Sequence, residues 1–375
     1  MNSKTFSKIL IILGLSGAAF AQENRILSIR LLEKLNPTDL KIQSPAGKGV
    51  WNEIKLSRGQ LWVNGKAQKT ASWGSQDSNL KIHVQNLTRI YPGKIILKIK
   101  QEKEGLKLFI LNRVSMENYA ACALAFESDF DQTQPEYLKA LGAVIGFYAV
   151  SHLHRHPDYD LCDLTHCQVY QGMPPNFDFW SKMISASRVL SSSHNFELGS
   201  FYFHRCCGGI LESAEQIWGG PKSRARTGPD EWNGKPLCQD DGFYQWTSST
   251  GVENVEETLK TMAQIPPLAR LETFEIIAKT TNGRNKTLRS IFMLPNRKTR
   301  EIRENVPRFI SEFGKHFGWR IFPSNWFEIQ KEGNLFKFSG HGLGHGVGLC
   351  QTGALKLAQM GWTWEEILNF YFPGT

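Results

Sequence analysis

Glu127 closes the apolar run "ENYAACALAFES" and stands between Phe126 and Phe130. A carboxyl set among apolar side chains resists ionisation, so it keeps its proton to higher pH, as a general acid must. A solvated glutamate at a helix end is the competing reading of the same pattern. Further along, "HLHRHPDYDLCDLTHCQVY" gathers His156, Cys162, His166 and Cys167 in the spacing H-x5-C-x3-H-C. Two thiolates and two imidazoles complete a tetrahedral zinc shell, and a closed shell marks a structural metal. His154 is an alternative to His156, and a Cys162–Cys167 disulfide is the other use of these sulfurs. A third stretch, "FYFHRCCGGILESAEQIWGG", sets Tyr202, His204, Glu212 and Trp218 about the Gly208-Gly209 turn. Such residues stack on sugars and hydrogen-bond to them, or they form a packed turn.

Near the C-terminus, "SGHGLGHGVGLCQTGA" carries glycines at 340, 342, 344, 346, 348 and 353, with His341 and His345 among them. A backbone with so little side-chain cover can lie flush with a sugar ring or with another part of the protein. Its amides could bond acetamido carbonyls while the imidazoles line a groove. Alternate glycines disfavour a helix, so zinc ligation at i, i+4 is not indicated. No Gly-Lys-Ser/Thr follows, which excludes a phosphate loop. A tight glycine crossing that serves packing alone is the remaining alternative.

The elements that must position these groups change character along the chain. From Ile26 to Val114 apolar and polar residues alternate, and "LKIHVQ" and "KIILKIKQ" read as half-buried strands. "MENYAACALAFES" predicts a short helix. A second starts at Thr133, with Glu136 completing a capping box, and runs through "YLKALGAVIGFYAVSHLHRH". Residues 157–250 look irregular; strands return at "RLETFEIIAKTT", "TLRSIFML", "NWFEIQ" and "LFKFSG", and two helices close the chain, the second opened by a Thr363–Glu366 capping box. The pattern predicts an α+β fold of interwoven lobes: a β-rich lobe over 22–113 and a helical, loop-rich region over 114–375, with a groove between lobes.

Residues 1–21 read as a signal peptide, with Lys4 and Lys8, the apolar Ile9–Leu15 and the site Ala19-Phe20-Ala21. That implies export to the periplasm, cell wall or exterior. Without those two lysines the net charge of +9 becomes +7, dispersed rather than clustered, which suits an anionic polymer but argues against nucleic acid. The seven cysteines are too sparse in 375 residues for a disulfide scaffold.

The segments "VSMENYAACALAFESDF", "YDLCDLTHCQVYQG", "FHRCCGGILESAEQIWGG" and "GHGLGHGVGLCQTGALKLAQMGWTWEEILNFYFPG" follow one another as in the stage II sporulation protein D/amidase-enhancer (SpoIID/LytB) family, which the chain resembles from about Val114 to Gly374. Characterised members are lytic transglycosylases acting on peptidoglycan strands stripped of stem peptides, and some bind zinc through a similar Cys/His cluster. The resemblance implies that Glu127 is the acid, that Tyr148, Gln168, Tyr170, Tyr202, His204, Gly208, Gly209, His341, His345 and Gln351 bind substrate, and that His156, Cys162, His166 and Cys167 hold zinc. Where the family usually reads A-R-T-Y this chain has Ile145-Gly146-Phe147-Tyr148, losing the arginine; where it reads S-Q-W-G-A this chain has Cys350-Gln351-Thr352-Gly353-Ala354. Two other functions fit the residues: a non-catalytic wall-binding activator of an N-acetylmuramoyl-L-alanine amidase, and a thiol hydrolase with Cys350 activated by His345.

Overall fold

The computed structural model describes residues 25–43, 49–102, 105–129, 131–165, 167–187, 201–219 and 223–374. The expected signal peptide, Phe130 and His166 lie outside them. Mostly antiparallel sheets combine with helices, giving the α+β fold that the patterning predicts. Two compact units share the chain in alternation: residues 1–131 with 152–195, and residues 132–151 with 196–375. Among the described residues no helix is long and apolar enough to cross a membrane.

The first unit holds two sheets. In the six-stranded one every neighbour is antiparallel, in the order Lys66–Gln68, Gln60–Val63, Trp51–Ser57, Asp39–Gln43, Asn79–Val84, Leu87–Pro92. The strand Asn79–Val84 buries Leu80, Ile82 and Val84, so the alternation in "LKIHVQ" translates into one buried face. The five-stranded sheet runs Leu161–Cys162, Ile26–Arg30, Gly105–Ser115, Lys94–Glu102, Thr70–Trp73, with only the first pair parallel. From the end of Gly105–Ser115 the chain enters the helix Met116–Glu127, whose first turn is capped by Ser115 Oγ accepting from the Asn118 amide. Seven consecutive residues, Tyr119–Ala125, are buried. Their small side chains let the helix Phe177–Ser187 pack against it.

In the second unit the helix Pro135–Ser151 packs on the two closing helices, Gln351–Gln359 and Trp364–Tyr371. It starts at Pro135 rather than Thr133, because a proline's fixed φ and missing N–H suit the first helical position. Glu136 does not cap its own helix; it bonds Lys139 at 2.6 Å and accepts from the Trp364 amide at 2.9 Å, serving the start of a different one. The helix ends at Ser151, whose hydroxyl bonds back to the carbonyls of Phe147 and Tyr148, and not at His156 as the pattern suggested. The capping box of Thr363 with Glu366 is present.

This unit also holds three two-stranded ladders and two three-stranded antiparallel sheets, one of Trp246–Gly251, Leu335–Gly340 and Phe327–Glu332, the other of Arg270–Lys279, Asn285–Met293 and Thr299–Asn305. Together with the helices Val252–Ala263 and Val306–Phe317 they enclose a core rich in phenylalanine. Phe313 sits at its centre, with ring centroids 5.0 Å from Phe322 and 6.0 Å from Phe309. Phe313→Ala should therefore destabilise this unit by about 3–5 kcal/mol, read as a lowered denaturant midpoint.

Candidate active site and cysteine centres

Glu127 is the last residue of its helix, partly accessible and otherwise enclosed. Its Oε1 accepts a 2.7 Å hydrogen bond from the Val169 amide. That amide is held in place by its neighbours: Gln168, buried, accepts from the Tyr119 hydroxyl at 3.0 Å, and Tyr170 donates to Asn112 Oδ1 at 2.7 Å. Desolvation pushes the Glu127 carboxyl up to about 7, opposed by the Val169 bond and reinforced by the negative charge of Asp129. The solvated-glutamate reading is thereby replaced by that of a carboxyl able to hold or release a proton near neutrality. Tyr170, expected against substrate, is wholly buried with its ring 5.1 Å from that of Tyr119. It and Gln168 flank the Val169 amide that bonds Glu127, and neither offers surface to a polymer. Val169 was not legible in advance, since it contributes only its backbone.

His156, Cys162 and Cys167 bring one ligand atom each to within 4.8 Å of one another, and His156 Nε2 lies 3.5 Å from Cys167 Sγ. A zinc ion bonded at about 2.3 Å to sulfur and about 2.1 Å to nitrogen spaces its ligands roughly 3.5–3.8 Å apart, so the donor set fits the metal. Cys162 lowers the Cys167 thiol to about 7. The loop is pinned to the edge strand Ile26–Arg30 by parallel pairing and by two carboxylates, Asp160 accepting from Ser28 N at 2.8 Å and Asp163 from Leu32 N at 2.6 Å. His154 is engaged with Asp160 at 3.1 Å, which leaves His156 as the imidazole of the cluster.

In the second unit the glycine-rich segment meets protein on every side where its glycines were expected to meet sugar. A Cβ on Gly348, at φ +75°, would stand 2.1 Å from the Tyr202 carbonyl oxygen, and one on Gly342 would stand 2.7 Å from that of Cys206. The amides of His341, Gly342, Leu343 and Gly344 donate to the carbonyls of Trp326, Phe243, Cys206 and Pro323. They are spent on the fold and are not available to acetamido groups. Gly208 is likewise tight, with its would-be Cβ 2.8 Å from His341 Cβ. Gly209, also at positive φ, abuts the Tyr244 ring, so both glycines of that turn serve a close crossing.

The imidazoles differ in surroundings. His341 lies beside Trp326, centroids 4.8 Å apart. His345 is packed 4.9 Å from Trp218 and 5.5 Å from His204. Desolvation and then the Arg284 charge push His345 down to about 3, and desolvation with the His345 charge pushes His204 well below its usual value. Both rings are neutral at physiological pH. Tyr202 lies tilted against the exposed Trp218, centroids 4.8 Å apart, and meets Tyr148 edge-on at 6.0 Å, whereas Gln351 is buried at the start of its helix. Cys350 is wholly buried beside Cys207. A thiol so enclosed cannot attack a substrate, which removes the thiol-hydrolase reading.

Because the native Glu127 binds its proton more tightly than the unfolded chain does, its contribution is full below pH 4.5 and is lost as pH rises through about 7. Glu127→Gln should therefore be more stable than the natural chain at pH 8, by up to about 3 kcal/mol, and equal to it at pH 4. Paired denaturation curves at the two pH values check this.

Residues 104–190 match the family described as stage II sporulation protein (SpoIID), the stretch that contains Glu127 and the His156–Cys162–Cys167 cluster. An uncharacterised protein of Brachyspira hyodysenteriae is 25% identical over 71% of this chain and 67% of its own length. An amidase enhancer of Bacillus subtilis is 24% identical over 57% of this chain, which spans only 34% of that longer protein. The order of motifs, the match over residues 104–190 and these relatives agree in likening the chain to the SpoIID/LytB family.

Proposed function

We propose that this protein acts on the bacterial cell wall as a lytic transglycosylase, cleaving peptide-stripped glycan strands with Glu127 as its single acid and base. The observation that carries the reading is a partly accessible carboxyl held near pH 7 by desolvation and gripped on one oxygen by the Val169 amide. A glycosidase that delivers water needs two carboxyls; a transglycosylase does not, because the sugar carries its own nucleophile. The Glu127 carboxyl protonates the oxygen joining N-acetylmuramic acid C1 to the next N-acetylglucosamine, and the C1–O bond breaks. The muramoyl C6 hydroxyl bonds to C1 and gives its proton to the Glu127 carboxylate. The acid is restored, no water is consumed, and the new end is a 1,6-anhydro sugar. A group titrating near neutrality is suited to both halves of that exchange. In the second unit, the exposed Trp218 braced by Tyr202 offers a flat apolar face of the kind that sugars stack on.

A non-catalytic role as an amidase activator is the second reading. It is favoured by the name of the Bacillus relative, an amidase enhancer, and by Gly146, which stands where the family's arginine is usual and around which a Cβ would meet nothing within 4 Å. Purified chain incubated with peptide-free glycan strands separates the two. Transglycosylation predicts anhydro ends by mass spectrometry, kcat/KM falling tenfold per pH unit above about 7, and a loss on the order of 100-fold or more in Glu127→Gln. Stimulation of an amidase by both proteins, with no anhydro product from either, would favour the activator.

His156, Cys162 and Cys167, with His166 as the expected fourth ligand, are proposed to hold a structural zinc. The ion would clamp the loop that leads into Gln168 and Val169, and so stabilise the grip on Glu127. Cys162→Ser with Cys167→Ser should lower zinc content by one equivalent per chain. A covalent Cys162–Cys167 bridge in peptide mapping would rule the metal out.

A further inference from the structure

Cys207, Cys238, Cys350 and Asp230 come from three distant parts of the sequence and meet inside the second unit. One ligand atom of each lies within 4.8 Å of the others, and all four residues are buried. Cys207 Sγ stands 3.4 Å from Cys238 Sγ and 3.0 Å from Asp230 Oδ2. A tetrahedral zinc shell requires edges of about 3.5–3.8 Å, so small adjustments suffice to close one here. The other oxygen of Asp230 is buried and has no hydrogen-bond partner among the described residues. A buried carboxylate beside three sulfurs, with one of its oxygens orphaned, is costly in a dry interior, and a cation would remove that cost.

The backbone around the cluster is arranged for sulfur anions. The amide of Gly209 donates to Cys207 Sγ at 3.2 Å, and that of Cys207 to Cys350 Sγ at 3.4 Å. Cys350 is also the N-cap of the helix Gln351–Gln359, where the helix dipole favours negative charge. Three thiolates and one carboxylate around Zn²⁺ leave two net negative charges. The wholly buried Arg284 offsets one of them, donating to the Cys207 carbonyl at 2.7 Å and feeling the charges of Cys207, Cys206 and Cys350.

We infer that Cys207, Cys238, Cys350 and Asp230 form a second zinc site, closed and structural, that ties the 206–209 turn, the 228–240 loop and the start of the penultimate helix into one body. The site is independent of the proposed catalysis and of the His156 cluster. Cys206, whose thiol also faces Cys238, is left outside the shell.

The test uses the full mature chain carrying Cys162→Ser and Cys167→Ser, so that zinc counted is zinc at this site. One equivalent per chain is expected by elemental analysis. Cobalt in its place should give the strong ligand-field and sulfur-to-metal absorption of a tetrahedral thiolate complex. Cys238→Ser should abolish both. Should that variant fail to fold, Asp230→Asn keeps all three sulfurs and should surrender zinc to a chelator at least about tenfold more readily. Absence of metal, a Cys207–Cys238 disulfide in intact-mass and peptide analysis, or zinc loss in Cys206→Ser but not Asp230→Asn would overturn the assignment.

Discussion

A single amide, that of Val169, sets the terms for the candidate acid. Burial alone would hold the Glu127 carboxyl neutral, and full solvation would leave it ionised; the 2.7 Å bond to Oε1 balances desolvation so that the group titrates near neutrality. The amide can do this only because the chain on either side of it is immobilised. Gln168 is tied to Tyr119 on the same helix as Glu127, and Tyr170 is tied to Asn112 in the strand that feeds that helix. The cysteine and histidine cluster lies immediately upstream, on a loop stitched to the sheet edge by Asp160 and Asp163. Acid, support and metal-fitting cluster thus belong to one continuous mechanical chain within the first unit.

Much of this was readable in the sequence for definite reasons. The half-buried strands announced themselves through alternation, whereas the apolar run before Glu127 fitted a solvated helix-end glutamate as well, and only the resemblance to the SpoIID/LytB family singled it out. The Thr363–Glu366 capping box is purely local, and it appears where the residues said it would. The failures are equally physical. Glu136 sits in a capping-box pattern yet caps the helix that begins at Trp364, and sequence spacing carries no sign of a partner 228 residues away. The resemblance put Tyr170 among the substrate-binding residues, but a tyrosine whose hydroxyl finds a buried acceptor in Asn112 is free to enter the core. Cys238 and Cys350 looked isolated because only the tertiary fold brings them to Cys207.

The glycine-rich segment shows how a motif can be conspicuous without being a surface. Its glycines permit a crossing in which the strand-like pieces 203–206 and 343–350 pair across the turn, with His204 opposite Cys350 and Cys206 opposite Leu343. The histidines beside it are desolvated by that same closeness, which is why His204 and His345 are neutral while Arg284, threaded past Gly346, keeps its charge. Crowding of the backbone and discharge of the imidazoles are one effect.

The alternation of the chain between its units has a topological corollary. Residues 132–151 leave one unit to join the other, and 152–195 return to the first. No single cut therefore liberates either unit intact: dividing the polypeptide after residue 131 strips the sheet of its parallel edge strand, Leu161–Cys162, along with Val169. A nascent chain meets the same barrier, because the amide that steadies Glu127 is translated only after the intervening helix. The setting of the candidate acid is therefore completed only after a stretch of polypeptide destined for the other unit.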